Sequence, residues 1–205
     1  MAKQSVLIIG NGPVEKDFSE TLNSFDRVVR FNMCANMPKL LGHKCTDLWL
    51  VSKGKQGIKF TAAFPAVDIY RVQNVMITDP QPNRFMQSFY RLIKRKGSID
   101  HGDEITLKYS TYANVERITH KAKEALLKRL YTFGKPVFRA KAPSSGMLAI
   151  EYFLQQQAQV YIVGFGFKGW KRHPWNLEKR YVESLIKQHK IQLLKAPACA
   201  GAKVL

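Results

Sequence analysis

Short, continuously apolar runs bounded by Gly, Asn or Pro recur along the chain, at residues 5–9, 27–31, 46–51, 75–78, 160–163 and 191–194. Their length and β-branched content predict buried strands. Between them, apolar positions three and four apart predict helices over 14–22, 84–96, from Ser144 or Ser145 to about 156, and 177–188. The same spacing at Val115, Ile118, Ala122, Ala125, Leu126 and Leu130 predicts another helix over 115–131, and residues 97–111 read as an exposed connection. Strands alternating with helices, the strands lacking a polar face, imply an α/β domain. Its sheet is mostly parallel, with helices on both faces. With 205 residues and no internal repeat, low-complexity tract or linker, residues 1–205 form a single domain.

The stretch 142–178 concentrates the candidate chemistry. Pro143 disfavours helix at the residue before it, Ser144 or Ser145 can cap a helix, and Met147, Ile150 and Leu154 continue at helical spacing. The unpaired amides of that first turn, the helix dipole and Gly146 together form a seat for a carboxylate or phosphate. The strand 160–163 finishes at Gly164, and ligands of open α/β sheets sit outside such carboxyl ends. His173 follows nine residues later and overhangs that edge, with Glu178 five residues further on. By position alone, a histidine in a basic loop is more often solvated than catalytic, and the Ser144 cap is needed with or without a ligand.

Composition adds one strong bias. Lysine and arginine number 33 against 15 acidic residues, a net charge of +18, so anionic partners are expected: nucleic acid, acidic membrane, or phosphorylated and acidic small molecules. Cys34, Cys45 and Cys199 are odd in number and have no paired spacing, which favours a reducing compartment without structural disulfides or a zinc site. No apolar run approaches the roughly 18 residues of a spanning helix and no secretory signal precedes the first strand, so a cytoplasmic protein able to dock on a membrane is expected.

Gly10-Asn11-Gly12-Pro13 follows the first strand and is similar to a phosphate-binding turn, but it lacks the third glycine of the dinucleotide fingerprint. A plain strand-to-helix turn is as good a reading. The second strand ends in Asn32 with no acidic residue to hold a ribose diol, which counts against NAD.

Taken in order, GNGP, the run 25–32, Leu41-Gly42-His43-Lys44-Cys45, Ser144-Ser145-Gly146 and His173 resemble bacterial sialyltransferases of glycosyltransferase family 42. They are also similar to the sialyl motifs of the animal family 29. In the latter a Pro-Ser-Ser/Thr-Gly motif leads to a Tyr-Gly-Phe-Gly-like strand end and a His and Glu separated by four residues, the places filled here by Pro143 to Gly146, Tyr161 to Gly166, and His173 with Glu178. The resemblance covers residues 6–45 and 143–194.

The resemblance implies a Rossmann-like variant of the GT-A arrangement. It also implies transfer of sialic acid or a related sugar, with inversion, from a CMP-activated donor to a hydroxyl of a glycan or glycolipid, without metal or other cofactor. Such an acceptor would be made at the cytoplasmic membrane face, where the basic helices could meet acidic lipid. His173 would be the general base, with Glu178 orienting it or capping the last helix. Gly10, Asn11, Gly12 and Asn32 would contact the nucleotide, and Ser144, Ser145 and Gly146 the donor's cytosine and carboxylate. Lys168, with Lys171 and Arg172, would stabilise the leaving phosphate. Lys168 stands where family 42 has tyrosine, and residues 167–172 are too short for the long lid those families carry. Two rivals stay open: a nucleic-acid-binding protein, which the charge favours although no recognition motif is evident, and a catalytically silent nucleotide-binding protein.

Overall fold

A computed structural model describes residues 3–34 and 40–195; Cys199 lies outside them. Seven strands, β1 Ser5–Ile9, β2 Arg27–Phe31, β3 Asp47–Leu50, β4 Asn74–Ile77, β5 Asn114–Arg117, β6 Gln159–Val163 and β7 Ile191–Leu193, form one parallel sheet in the order β5-β4-β3-β2-β1-β6-β7. The helices are α1 Gly54–Ala62, α2 Arg84–Leu92, α3 Gly102–Tyr109, α4 His120–Tyr131, α5 Ser145–Gln155 and α6 Trp175–Lys187. The expected α/β architecture, Rossmann-like and parallel, is the observed one. No helix among the described residues is long and apolar enough to cross a membrane.

Both sheet faces are covered, which is why the strands β1 to β4 are buried almost throughout. On one face Val6, Ile8, Val29 and Trp49 meet Ile150 and Phe153 of α5, Leu126 and Leu130 of α4, and Leu177 and Tyr181 of α6. On the other, Leu48, Leu50 and Ile77 meet Phe60 of α1 and Ile105 and Tyr109 of α3. Leu7, Ile9 and Val28 are covered there by Phe18, Leu22 and Leu41.

That last patch is not helical as expected over 14–22. Only Thr21–Ser24 forms a 3-10 turn. Asp17 Oδ1 accepts from the Ser19 amide at 2.8 Å, and the Phe18 amide donates to the Leu40 carbonyl at 2.8 Å, so local and tertiary partners take the groups a helix would have used. Phe18 and Leu22 are buried all the same, because hydrophobic burial does not require a helix.

The helix expected over 115–131 divides. Val115 belongs to β5, paired with Val75 of β4, and α4 starts only at His120, where the Thr119 hydroxyl caps it by accepting from the Ala122 amide at 3.1 Å. The connection expected over 97–111 contains α3, whose Ile105 and Tyr109 are fully buried. Helix α2 stops at Leu92, short of 96, followed by Lys94 in the left-handed region at φ 51.

Arg30 is buried on β2 and donates to the carbonyls of Leu41, Gly42 and Lys44. The Leu41-to-Cys45 motif is thereby a loop latched to the sheet. Cys34 and Cys45 are buried free thiols, and burial raises the Cys34 pKa to about 11.

Candidate functional site

Strand β1 leads away to β2 on one side, while the chain returning from the opposite edge enters β6 on the other. The switch point of the sheet therefore lies beyond the carboxyl ends of β1 and β6, where such folds hold ligands. The two strand ends approach very closely there. The Gly10 amide donates to the Val163 carbonyl at 2.8 Å and the Gly12 amide to the Gly164 carbonyl at 2.7 Å. A Cβ on Gly10 would lie 2.3 Å from the Gly164 oxygen, and one on Gly12 2.6 Å from it. These glycines exist for backbone apposition, and their amides are engaged by β6 rather than aimed at a phosphate. Asn11, exposed between them, is what the turn offers the cavity.

That cavity, of about 520 Å³, is lined by Gly10, Asn11, Gly12, Asn32, Ser144, Ser145, Gly146, Lys168, His173 and Glu178, whereas Lys171 and Arg172, expected beside Lys168 at the leaving phosphate, do not line it. Residues from opposite ends of the chain meet because β1 and β6 are neighbours.

Helix α5 points its first turn into the cavity. The Ser144 hydroxyl accepts from the Met147 amide at 3.3 Å, so Ser144 is the cap, and the amides of Ser145 and Gly146 have no partner among the described residues. Asn32 follows β2 directly at φ 54, a conformation asparagine tolerates. Its Oδ1 accepts from the Val51 amide at 3.0 Å, which orients the carboxamide and leaves Nδ2 with no described partner.

Glu178, in the first turn of α6 and 1% exposed, does not reach His173. Its Oε1 accepts from the Ser144 amide and its Oε2 from the Ser144 hydroxyl, both at 2.7 Å. It ties the cap of α5 to α6, and burial pushes its pKa up to about 7 against those two bonds, which favour the charged form.

His173 is held by its loop. The Trp170 carbonyl accepts from the His173 amide at 3.1 Å and from Trp175 Nε1 at 3.0 Å. The imidazole sits edge-on to both indoles, with centroids 4.9 and 5.0 Å away. Nδ1 lies 2.8 Å from the Ala142 carbonyl, which can only accept, so the neutral ring carries its proton there and its lone pair on Nε2. Burial, assisted by the positive charge of Lys123, lowers the His173 pKa, opposed by the Ala142 bond and by Asp79. Burial thus favours the neutral ring.

A second cavity, of about 790 Å³, adjoins the first, and Asn32, Gln56, Ser145, Trp170 and His173 line both. Its wall carries Lys53, Lys55, Lys123 and Lys141 with one carboxylate, Asp79. Asp79 Oδ1 lies 3.4 Å from Lys123 Nζ and 3.9 Å from Lys53 Nζ. Burial lowers the Lys123 pKa, Asp79 opposing. Among the described residues, no three His, Cys, Asp or Glu side chains converge as a metal ion requires.

Sequence reasoning missed Gln56, Lys53 and Lys123. Gln56 sits on α1, a helix concealed by its own glycines. Gly54 has φ 63, and a Cβ on Gly57 would lie 2.1 Å from the Ser52 carbonyl oxygen. A glycine pair beside Ser52 was the available signal. Lys123 carried none, since its burial follows from where α4 meets β4.

No family model matches the chain. It is 26% identical over 202 residues, 92% of either chain, to the "Urease operon 23 kDa accessory protein" of Rhizobium meliloti strain 1021. Among solved structures it is similar to a mammalian sialyltransferase in complex with Gal-beta-1-3GalNAc-ortho-nitrophenol, at TM-score 0.61 and 13% identity. The match covers 95% of this chain and 70% of that one. A second structure of a mammalian sialyltransferase matches at TM-score 0.60 and 12% identity with the same coverage. The fold of this chain is therefore sialyltransferase-like.

Proposed function

We propose that the protein is a metal-independent inverting glycosyltransferase that moves sialic acid or a related acidic sugar from a CMP-activated donor to a hydroxyl of a glycan or glycolipid, at the inner face of the membrane. The observation that carries this is His173 at the boundary of two cavities, its Nδ1 held 2.8 Å from the Ala142 carbonyl, which leaves Nε2 as the atom able to accept a proton.

In this reading the donor occupies the cavity at the switch point. Its anionic groups lie against the first-turn amides of α5 and against Lys168, and Asn11 and Asn32 Nδ2 contact the nucleotide. The acceptor enters from the lysine-lined cavity. His173 Nε2 takes the proton of the acceptor hydroxyl as its oxygen attacks the anomeric carbon. The bond from that carbon to the phosphate oxygen breaks, and CMP leaves with the electron pair, its charge stabilised by Lys168 and the helix terminus. A single displacement inverts the centre. Glu178 is a positioning residue that acts through Ser144.

The test is calorimetric titration with CMP, UMP, GMP and NAD, followed by turnover of a CMP-sugar. Preferential CMP binding is expected, with His173→Ala keeping CMP affinity and losing about 10²–10⁴-fold in turnover. Unchanged turnover in that variant removes the base role. A second reading, a catalytically silent nucleotide-binding protein, draws on the relative named as a urease-operon accessory protein and on the short 167–172 connection; it predicts CMP binding without turnover. Salt-sensitive duplex binding with no nucleotide preference would favour the nucleic-acid rival.

A further inference from the structure

Helix α2 lies on the surface and buries none of its residues. Phe85 is 76% exposed and Leu92 79%, with Phe89 and Ile93 also exposed. At spacings of four, three and one, these four share one side of the helix, which faces away from the protein. The opposite side holds the helix down: Gln87 Nε2 donates to the Asp100 carbonyl at 2.8 Å, and Tyr90 lines the lysine-rich cavity. A globular helix normally turns its apolar stripe inward. This one presents it to solvent.

The polar residues of the segment have one sign. Residues 84–96 contain Arg84, Arg91, Lys94, Arg95 and Lys96 and no acidic residue. Arg84 and Arg91 share one side of the helix beside the apolar stripe, while Arg95, beyond the helix end, lies over the Tyr90 ring at 5.5 Å from its centroid. Among the described residues, only Arg91 has a carboxylate near it, Glu104 of α3 at 3.8 Å. An exposed aromatic and aliphatic stripe on a segment of five cations and no acidic residue matches the surface of an anionic bilayer, where apolar side chains enter the acyl boundary and cations meet phosphate headgroups.

We propose that α2 is an interfacial membrane anchor, inserting Phe85, Phe89, Leu92 and Ile93 into an anionic bilayer and holding the mouth of the lysine-lined cavity at its surface. Residues Tyr90, Gly97 and Ser98, on and just beyond this helix, wall that cavity, so an acceptor carried by a membrane lipid would reach His173 without leaving the bilayer surface. The anchor stands on α2 alone and does not depend on sugar transfer.

The experiment is flotation of the full chain with vesicles of phosphatidylcholine alone and of phosphatidylcholine mixed equally with phosphatidylglycerol. Floating with the mixed vesicles only is expected, with F85S/F89S weakening partition by about tenfold or more, its thermal midpoint unchanged because both rings are exposed. L92W fluorescence should be quenched by brominated lipid. Failure of the wild-type chain to float, or equal flotation of F85S/F89S, overturns the anchor. So does a wild-type dimer in sedimentation velocity that F85S/F89S converts to monomer while neither floats, since the stripe then covers a second copy. None of these readouts needs donor or acceptor, so they leave the transfer reading untouched.

Discussion

Replacing Glu178 with glutamine should remove a destabilisation that grows across neutral pH. The carboxyl is 1% exposed and bonded only to Ser144, and burial raises its pKa from the ordinary 4.5 to about 7. A raised folded-state pKa means that the group's stabilising contribution is complete below about 4.5 and is lost as pH rises through about 7. At 1.36 kcal/mol per pH unit the whole loss is about 3 kcal/mol as an order of magnitude. Glutamine stays neutral throughout and keeps an acceptor for the Ser144 amide. Urea unfolding of both proteins, followed by tryptophan fluorescence from pH 4.5 to 8, should show their stability difference moving against the wild type by about that amount. A difference that is constant with pH, or that moves in favour of the wild type as pH rises, would refute the reasoning.

Gly12→Ala should lose about 1–3 kcal/mol, because its Cβ would meet two backbone atoms, the Gly164 oxygen at 2.6 Å and the Gly166 nitrogen at 2.8 Å, which cannot swing aside; an unchanged urea midpoint would contradict so tight an apposition. The acid limb of kcat/KM for a CMP-sugar should fall below the ordinary imidazole value of 6.5, since burial and then Lys123 disfavour the charged ring. Lys123→Met should move that limb upward by removing the positive charge. A wild-type limb at or above 6.5 would contradict the burial argument.

The candidate site was legible where chemistry is written in local residues. Ser144 caps α5 as its hydroxyl and the following Gly146 and Met147 predict. His173 and Glu178 fall at the same cavity because a parallel strand must be followed by a loop over its carboxyl end. What each residue touches was not legible. Glu178 answers to Ser144 rather than to His173, and the two glycines of GNGP serve contact with β6 rather than a phosphate, since partners far apart in sequence are set by which strands become neighbours.

The sequence by itself determined the fold class, the seven-strand sheet except for β5, and the basic surface, because continuous apolar strands force burial on both faces and 18 net positive charges cannot be hidden. Tertiary structure alone decided the rest. It divided the apolar spacing of 115–131 into a strand and a helix, because Val115 gained a neighbour in Val75. It kept 14–22 from becoming helical, because Leu40 and Asp17 took its amides. It also turned the apolar side of α2 outward while Gln87 and Tyr90 faced the protein. Helical periodicity states that a stripe exists; only packing decides whether it meets core or solvent.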